Sequence, residues 1–161
     1  MSGELWAFGG MVLGFVLGEV SSIARREMQI SAAKENLRRE LKTLLGVIPQ
    51  KRHIVDQARA ALRNGTILPT SNVPASRLGY DVYFVTALPS LSRISRANIH
   101  HIYETMIWND RYLHGLKDEI LSAIKDGIID DPFGEYVGRL DEVDHAYTKT
   151  QKLIADYLRK L

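Results

Sequence analysis

The sequence predicts an all-α fold: an N-terminal transmembrane helix continuing into a cytoplasmic antiparallel helical bundle that ends in a long heptad helix. Three observations predict it. Five prolines leave residues 1–48 and 90–131 without a breaker. Apolar residues recur at steps of three and four, the spacing of one helix face. The first two dozen residues are nearly free of charge.

The uncharged start divides the chain into a membrane segment, 1–24, and a helical domain, 25–161. Leu5 through Leu17 carries no charge, and extending it to Ala24 adds only Glu19. Twenty helical residues span about 30 Å, the thickness of a bilayer's hydrocarbon core. Trp6 stands where an interfacial aromatic would, and Arg25 and Arg26 close the far end. By the positive-inside rule the N-terminus then lies outside a bacterial inner membrane and the rest in the cytoplasm, next to lipid headgroups. Two rivals stay open. A signal sequence would want a basic start, whereas Met-Ser-Gly-Glu is acidic. A bundle helix is suggested by the shortness of the strictly uncharged run. Within the segment, Gly10, Gly14, Gly18 and Ser22 fall four apart on one face. In lipid that row favours close helix packing, hence a homo-oligomer and, in a stronger version, a pore.

Met28 to Val47 is rich in helix formers, with an apolar face at Ile30, Ala33, Leu37, Leu41, Leu44 and Ile48. A bend or break is expected before Pro49. A second helix then runs over Lys51 to Arg63 and stops at Asn64-Gly65. Residues 65–89 read as an ordered loop with a short helix starting near Asp81. A further helix spans Ser90 to about Asp126, and Pro132 opens the last one. There Tyr136, Leu140, Val143, Tyr147, Thr150, Ile154, Tyr157 and Leu161 alternate steps of four and three, a heptad seam. This seam either closes the bundle or pairs with another subunit.

Charge is uneven: residues 25–96 carry net +8 and residues 97–161 net −4, against +2 overall. The basic stretch reads as topogenic charge and pairing with the acidic half. Its functional rival is an anion or headgroup contact at Arg25, Arg26, Arg38, Arg39, Arg52 and Arg59, with Lys51 and Arg63 nearby, taking an anionic small molecule. Nucleic acid is disfavoured because no recognised binding motif is present.

Zero cysteines exclude disulfides and thiolate metal sites. Walker, dinucleotide-binding, Gly-x-Ser-x-Gly and HExxH motifs are missing. Glu142-Val143-Asp144-His145 contains one Glu-x-x-His, where a helical di-iron site needs two. His100, His101 and Glu104, His114 with Asp118, and His53 with Asp56 read as surface pairs. No cofactor and no catalytic residue is expected.

Leu37-Arg-Arg-Glu-Leu41, Leu68-Pro69, Tyr80-Asp81 and Ile102-Tyr103, behind a glycine-rich start, resemble a set of uncharacterised bacterial proteins with one N-terminal span and a cytoplasmic helical domain. The architecture is also similar to membrane effectors of bacterial antiviral systems. The glycine face and the apolar or heptad face of the helices are expected to serve a non-enzymatic scaffold with a protein partner. The alternative, which the second resemblance implies, is a ligand-gated, pore-forming or membrane-disrupting effector whose basic segment senses an anionic nucleotide.

Overall fold

A computed structural model describes residues 2–67, 74–75, 79–127 and 131–160, with side chains from residue 13 onward apart from Pro132 and Lys160. The described residues are helical throughout their regular structure and contain no strand. Three long helices make the body: α1 (Ser2–Arg63), α3 (Arg93–Asp126) and α4 (Pro132–Lys160). A strap of short helical turns, Gly79–Phe84, α2 (Val85–Ala87) and Leu88–Ser90, crosses between α1 and α3.

Helix α1 does not break at Pro49. It runs through as a single 62-residue helix. Proline removes one intrahelical hydrogen bond and costs about 3 kcal/mol in a helix interior. Pro49 is exposed, so the carbonyl of Leu45 that loses its donor lies on the solvent side. On the other side the seam continues unbroken: Leu37, Leu41, Leu44, Ile48, Val55, Ala58 and Leu62 are all buried. Packing of that seam, on both sides of the proline, holds the helix continuous through a poor local residue.

The helix ends where Asn64-Gly65 predicts. Gly65 takes φ +68°, its N–H bonds to the Leu62 carbonyl at 2.9 Å, and the Thr66 N–H bonds to Ala61 at 2.9 Å. That pair of bonds is the Schellman stop, and the left-handed residue in it favours glycine. Helix α3 begins with Ser92, whose Oγ accepts the Ser95 N–H at 3.1 Å. It ends on Gly127 at φ +61°. Before α4, Asp131 Oδ1 accepts the Gly134 N–H at 3.0 Å, a side-chain cap for a helix opened by Pro132. Residues 128–130, and with them Asp130, lie outside the described residues, as do Leu68-Pro69 and Leu161.

The α4 seam packs within its own chain. Tyr136, Leu140, Val143, Tyr147, Ile154 and Tyr157 join the seam of α1 and Ile99, Ile102, Met106, Leu113 and Ile120 of α3 in one core. This settles the seam as bundle closure rather than a contact with another subunit.

The membrane segment needs correction. Among the described residues no helix is long and apolar enough to cross a membrane. The uncharged run that starts at Leu5 stops at Gly18, before Glu19, Ser21 and Ser22, and the arginines follow. The side chains of residues 5–12, including the face at Gly10, lie outside those described. The single-pass inner-membrane placement, with its outside N-terminus, headgroup contacts and cytoplasmic bundle, loses its basis. Nor does residue 24 mark any break in α1; among its described side chains the first buried one is Ala33.

Candidate functional site

Two features stand out from an otherwise ordinary bundle: a polar layer inside it and a bare arm projecting from it.

The polar layer sits where the seams of α1, α3 and α4 meet. Spacing places Lys51 on the buried seam of α1, midway between Ile48 and Val55, and it is 2% exposed. Its Nζ donates to Asp110 Oδ1 of α3 at 2.6 Å. The hydroxyl of Tyr147 on α4 donates to the same oxygen at 3.1 Å. Asp110 Oδ2 accepts the Ala75 N–H at 2.6 Å, which ties the 65–78 connection to the bundle. Burial, reinforced by the Asp110 charge, pushes the Tyr147 phenol up, so it stays a hydrogen-bond donor. The neighbouring Asn109 is fully buried, and among the described residues its amide has no hydrogen-bond partner. A cleft of about 490 Å³ opens beside the layer between Pro74, Ala75, Ile107, Asp110 and His114. These bonds join three helices and a loop.

A second interhelical clasp lies nearer the arm. Tyr103 of α3 donates to Glu40 Oε1 of α1 at 3.0 Å. Burial raises the Glu40 carboxyl above its ordinary range, opposed by bonds from Tyr103 and the Gly79 backbone. The strap comes so close here that a Cβ at Gly79 would run into the Glu40 carboxylate. Tyr80 stacks on Phe84 and meets His100 Nδ1 through its hydroxyl at 2.5 Å.

The basic residues separate into two groups. Arg52 grips Asp144 of α4 through two bonds, 2.6 and 3.2 Å. That guanidinium holds the Asp144 carboxyl below its ordinary value. Arg59 pairs with Asp141 at 2.9 Å and Asp56 at 3.2 Å. Both are therefore engaged in joining α1 to acids, mostly of α4. Arg39 pairs on the surface with Glu35 at 3.4 Å, and Arg38 is half-buried. Arg25 and Arg26 stand apart on the arm beside Gly18, Ser21, Ser22 and Gln29. The six arginines do not converge on one place. Of the histidines, His53 meets Gln57 at 3.1 Å and His100 meets Tyr80; among the described residues no metal-ligand grouping of three occurs.

The arm is the part of α1 that precedes the bundle. Every residue from 13 to 29 is exposed. Leu13 is 63% exposed, Phe15 70%, Leu17 64% and Met28 66%, and Val16, Val20 and Ile23 are bare as well. The stretch is about 25 Å of helix at 1.5 Å per residue. Added Cβ atoms at Gly14 and Gly18 would meet nothing within 4 Å. Scattered apolar side chains on a surface are ordinary, but a continuous apolar patch marks an interaction site.

No family model, no curated protein and no solved structure matches this chain. The resemblance to single-span bacterial proteins is therefore withdrawn: nothing matched supports it, and its span is not found among the described residues.

Sequence reasoning missed Lys51, Asp110 and Asn109 as buried groups, because charge and amide read as surface. One signal was available for Lys51. The steps Leu44, Ile48, Lys51, Val55, Ala58 and Leu62 keep the 4-3-4-3-4 rhythm only if Lys51 belongs to the seam.

Proposed function

We propose that the protein is a non-enzymatic scaffold or interaction module, a helical bundle whose projecting α1 arm joins it to other copies of itself. The observation that carries this reading is the arm: residues 13–29 hold large apolar side chains that none of the described residues covers. Isolated helices of this length are marginal in water and owe their stability to packing of an apolar face. Extending from a well-packed bundle, the arm is held in helical form at one end and offers its face at the other. The bundle adds exposed apolar residues on α3, Ile94 and Trp108, the latter stacked on Tyr112 at 5.7 Å. Those suit a second protein partner.

The polar groups favour structure over chemistry. Lys51, Asp110 and Tyr147 satisfy one another, and the arginines once assigned to an anion are paired at Arg52 and Arg59. Light scattering on the full-length chain tests the proposal. A mass of two or more 18.2 kDa chains, falling to one chain on dilution, is expected. A single-chain mass at every concentration up to hundreds of micromolar would overturn it.

A further inference from the structure

We propose that the cleft beside the polar layer binds a small organic acid, an apolar body bearing one carboxylate, and that Arg111 at its mouth holds the carboxylate.

Spacing on α3 makes the floor. Ile107, Arg111 and Gly115 follow at steps of four with His114 beside them, so they share one helix face. Pro74 and Ala75 stand across from that face, and the space between is about 490 Å³ with mostly apolar walls. Sites that enclose small organic molecules have this size and this lining. Gly115 matters to the shape. A Cβ there would meet nothing within 4 Å, so part of the floor is bare backbone. The Ala75 N–H bonds to Asp110 Oδ2 at 2.6 Å, which ties one wall to the other.

Charge decides the ligand. The ionisable side chains lining the cleft are Asp110, Arg111 and His114. Asp110 is already answered: one oxygen takes the Lys51 ammonium at 2.6 Å and the Tyr147 hydroxyl at 3.1 Å, and the other takes Ala75. A ligand ammonium would have to compete with Lys51 for it. Arg111 is the reverse case. It is exposed, and among the described residues its guanidinium has no hydrogen-bond or ion-pair partner. No acid stands three or four residues from it on α3, where the neighbours are Ile107, Trp108, His114 and Gly115. A planar fork of N–H donors matches a carboxylate through two parallel bonds. The His114 imidazole, one turn on and likewise without a partner among the described residues, adds a second polar group at the mouth. An apolar bed with an uncommitted cation at its rim is the complement of an organic acid with an apolar body.

Octanoate, octylammonium, octanol and acetate, titrated separately into the isotope-labelled full chain, test this by amide NMR. The first three share one body under different heads, and acetate is the head alone. Octanoate should saturate by about 10 mM and shift the amides of residues 107–115. Octanol should bind at least roughly tenfold more weakly, and octylammonium and acetate should not saturate. Arg111→Gln should weaken octanoate roughly tenfold. Gly115→Leu should abolish binding with the rest of the spectrum unchanged, because leucine enters open space and suits a helix better than glycine. Octanoate that does not saturate, shifts only residues 13–29, or binds no better than octanol or octylammonium overturns the inference. So does octanoate binding that Arg111→Gln or Gly115→Leu leaves at the wild-type level. Self-association of the arm is read from mass against concentration, so it stands or falls separately.

Discussion

Residues 13–29 and 33–62 belong to one helix and face opposite fates. In the second stretch every third or fourth side chain vanishes into the core: Leu41, Ile48 and Val55 are 0% exposed. In the first, no described side chain is even half-buried by the chain itself. The difference does not lie in helix propensity, since the stretch with the proline is the well-packed one. It lies in what stands alongside. From Ala33 onward α1 has α4, α3 and the strap as neighbours; over 13–29 none of the described residues covers it. Helical form can be inherited from a packed end, whereas burial needs a partner at each position.

That contrast can be broken or sharpened by mutation, beginning where the bundle is tightest. Asp110→Ala should lower stability most, by about 3–5 kcal/mol, because it removes the carboxylate that faces the buried Lys51 ammonium. Urea denaturation measures it, and pairing Asp110→Leu with Lys51→Met should recover most of the loss. Leu41→Ala opens a cavity in the seam and should cost about 2–5 kcal/mol by the same measurement. Tyr147→Phe removes one bond to a charged, buried carboxylate and should cost about 1.5–3 kcal/mol.

Smaller effects come from the half-exposed ties. The Asp144 carboxyl is held low by Arg52. A carboxyl with a depressed folded pKa contributes stability above its unfolded value and loses it as pH falls through the folded one. Asp144→Asn should therefore be less stable than wild type at pH 7, by about 0.2–1 kcal/mol. Thermal melts across pH should show that gap closing below about pH 4. Leu17→Ala should be smallest: under about 0.5 kcal/mol in dilute solution, despite deleting the same atoms as Leu41→Ala. A cost as large as that of Leu41→Ala would mean the arm packs on its own bundle.

Much of the fold was legible, and the limits have physical causes. The α4 seam could be read residue by residue because its 4-3 rhythm has one polar member, Thr150, and no breaker. The stop at Gly65 follows from the left-handed conformation that glycine tolerates. Pro49 misled because local rules charge it with a break, while the seam on either side outweighs the lost bond. The polar layer was hidden because a lysine, an aspartate and an asparagine read as solvent-facing until three helices converge on them. The arm misled in another way. Hydropathy sums apolar side chains without saying what will cover them, so Leu13 to Ile23 reads the same before lipid as before another helix. Its Glu19 and its serines were in the sequence; what would cover its apolar side chains was not.

Hydrogen–deuterium exchange of the full chain at several protein concentrations tests the central claim most directly, because it reads both stretches of α1 at once. Amides of 33–62 should be protected to the same degree at every concentration, held by their own bundle. Those of 13–29 should gain protection as concentration rises, held by a second chain. Exchange in 13–29 that is fast at all concentrations, or equally slow at all of them, would contradict the account.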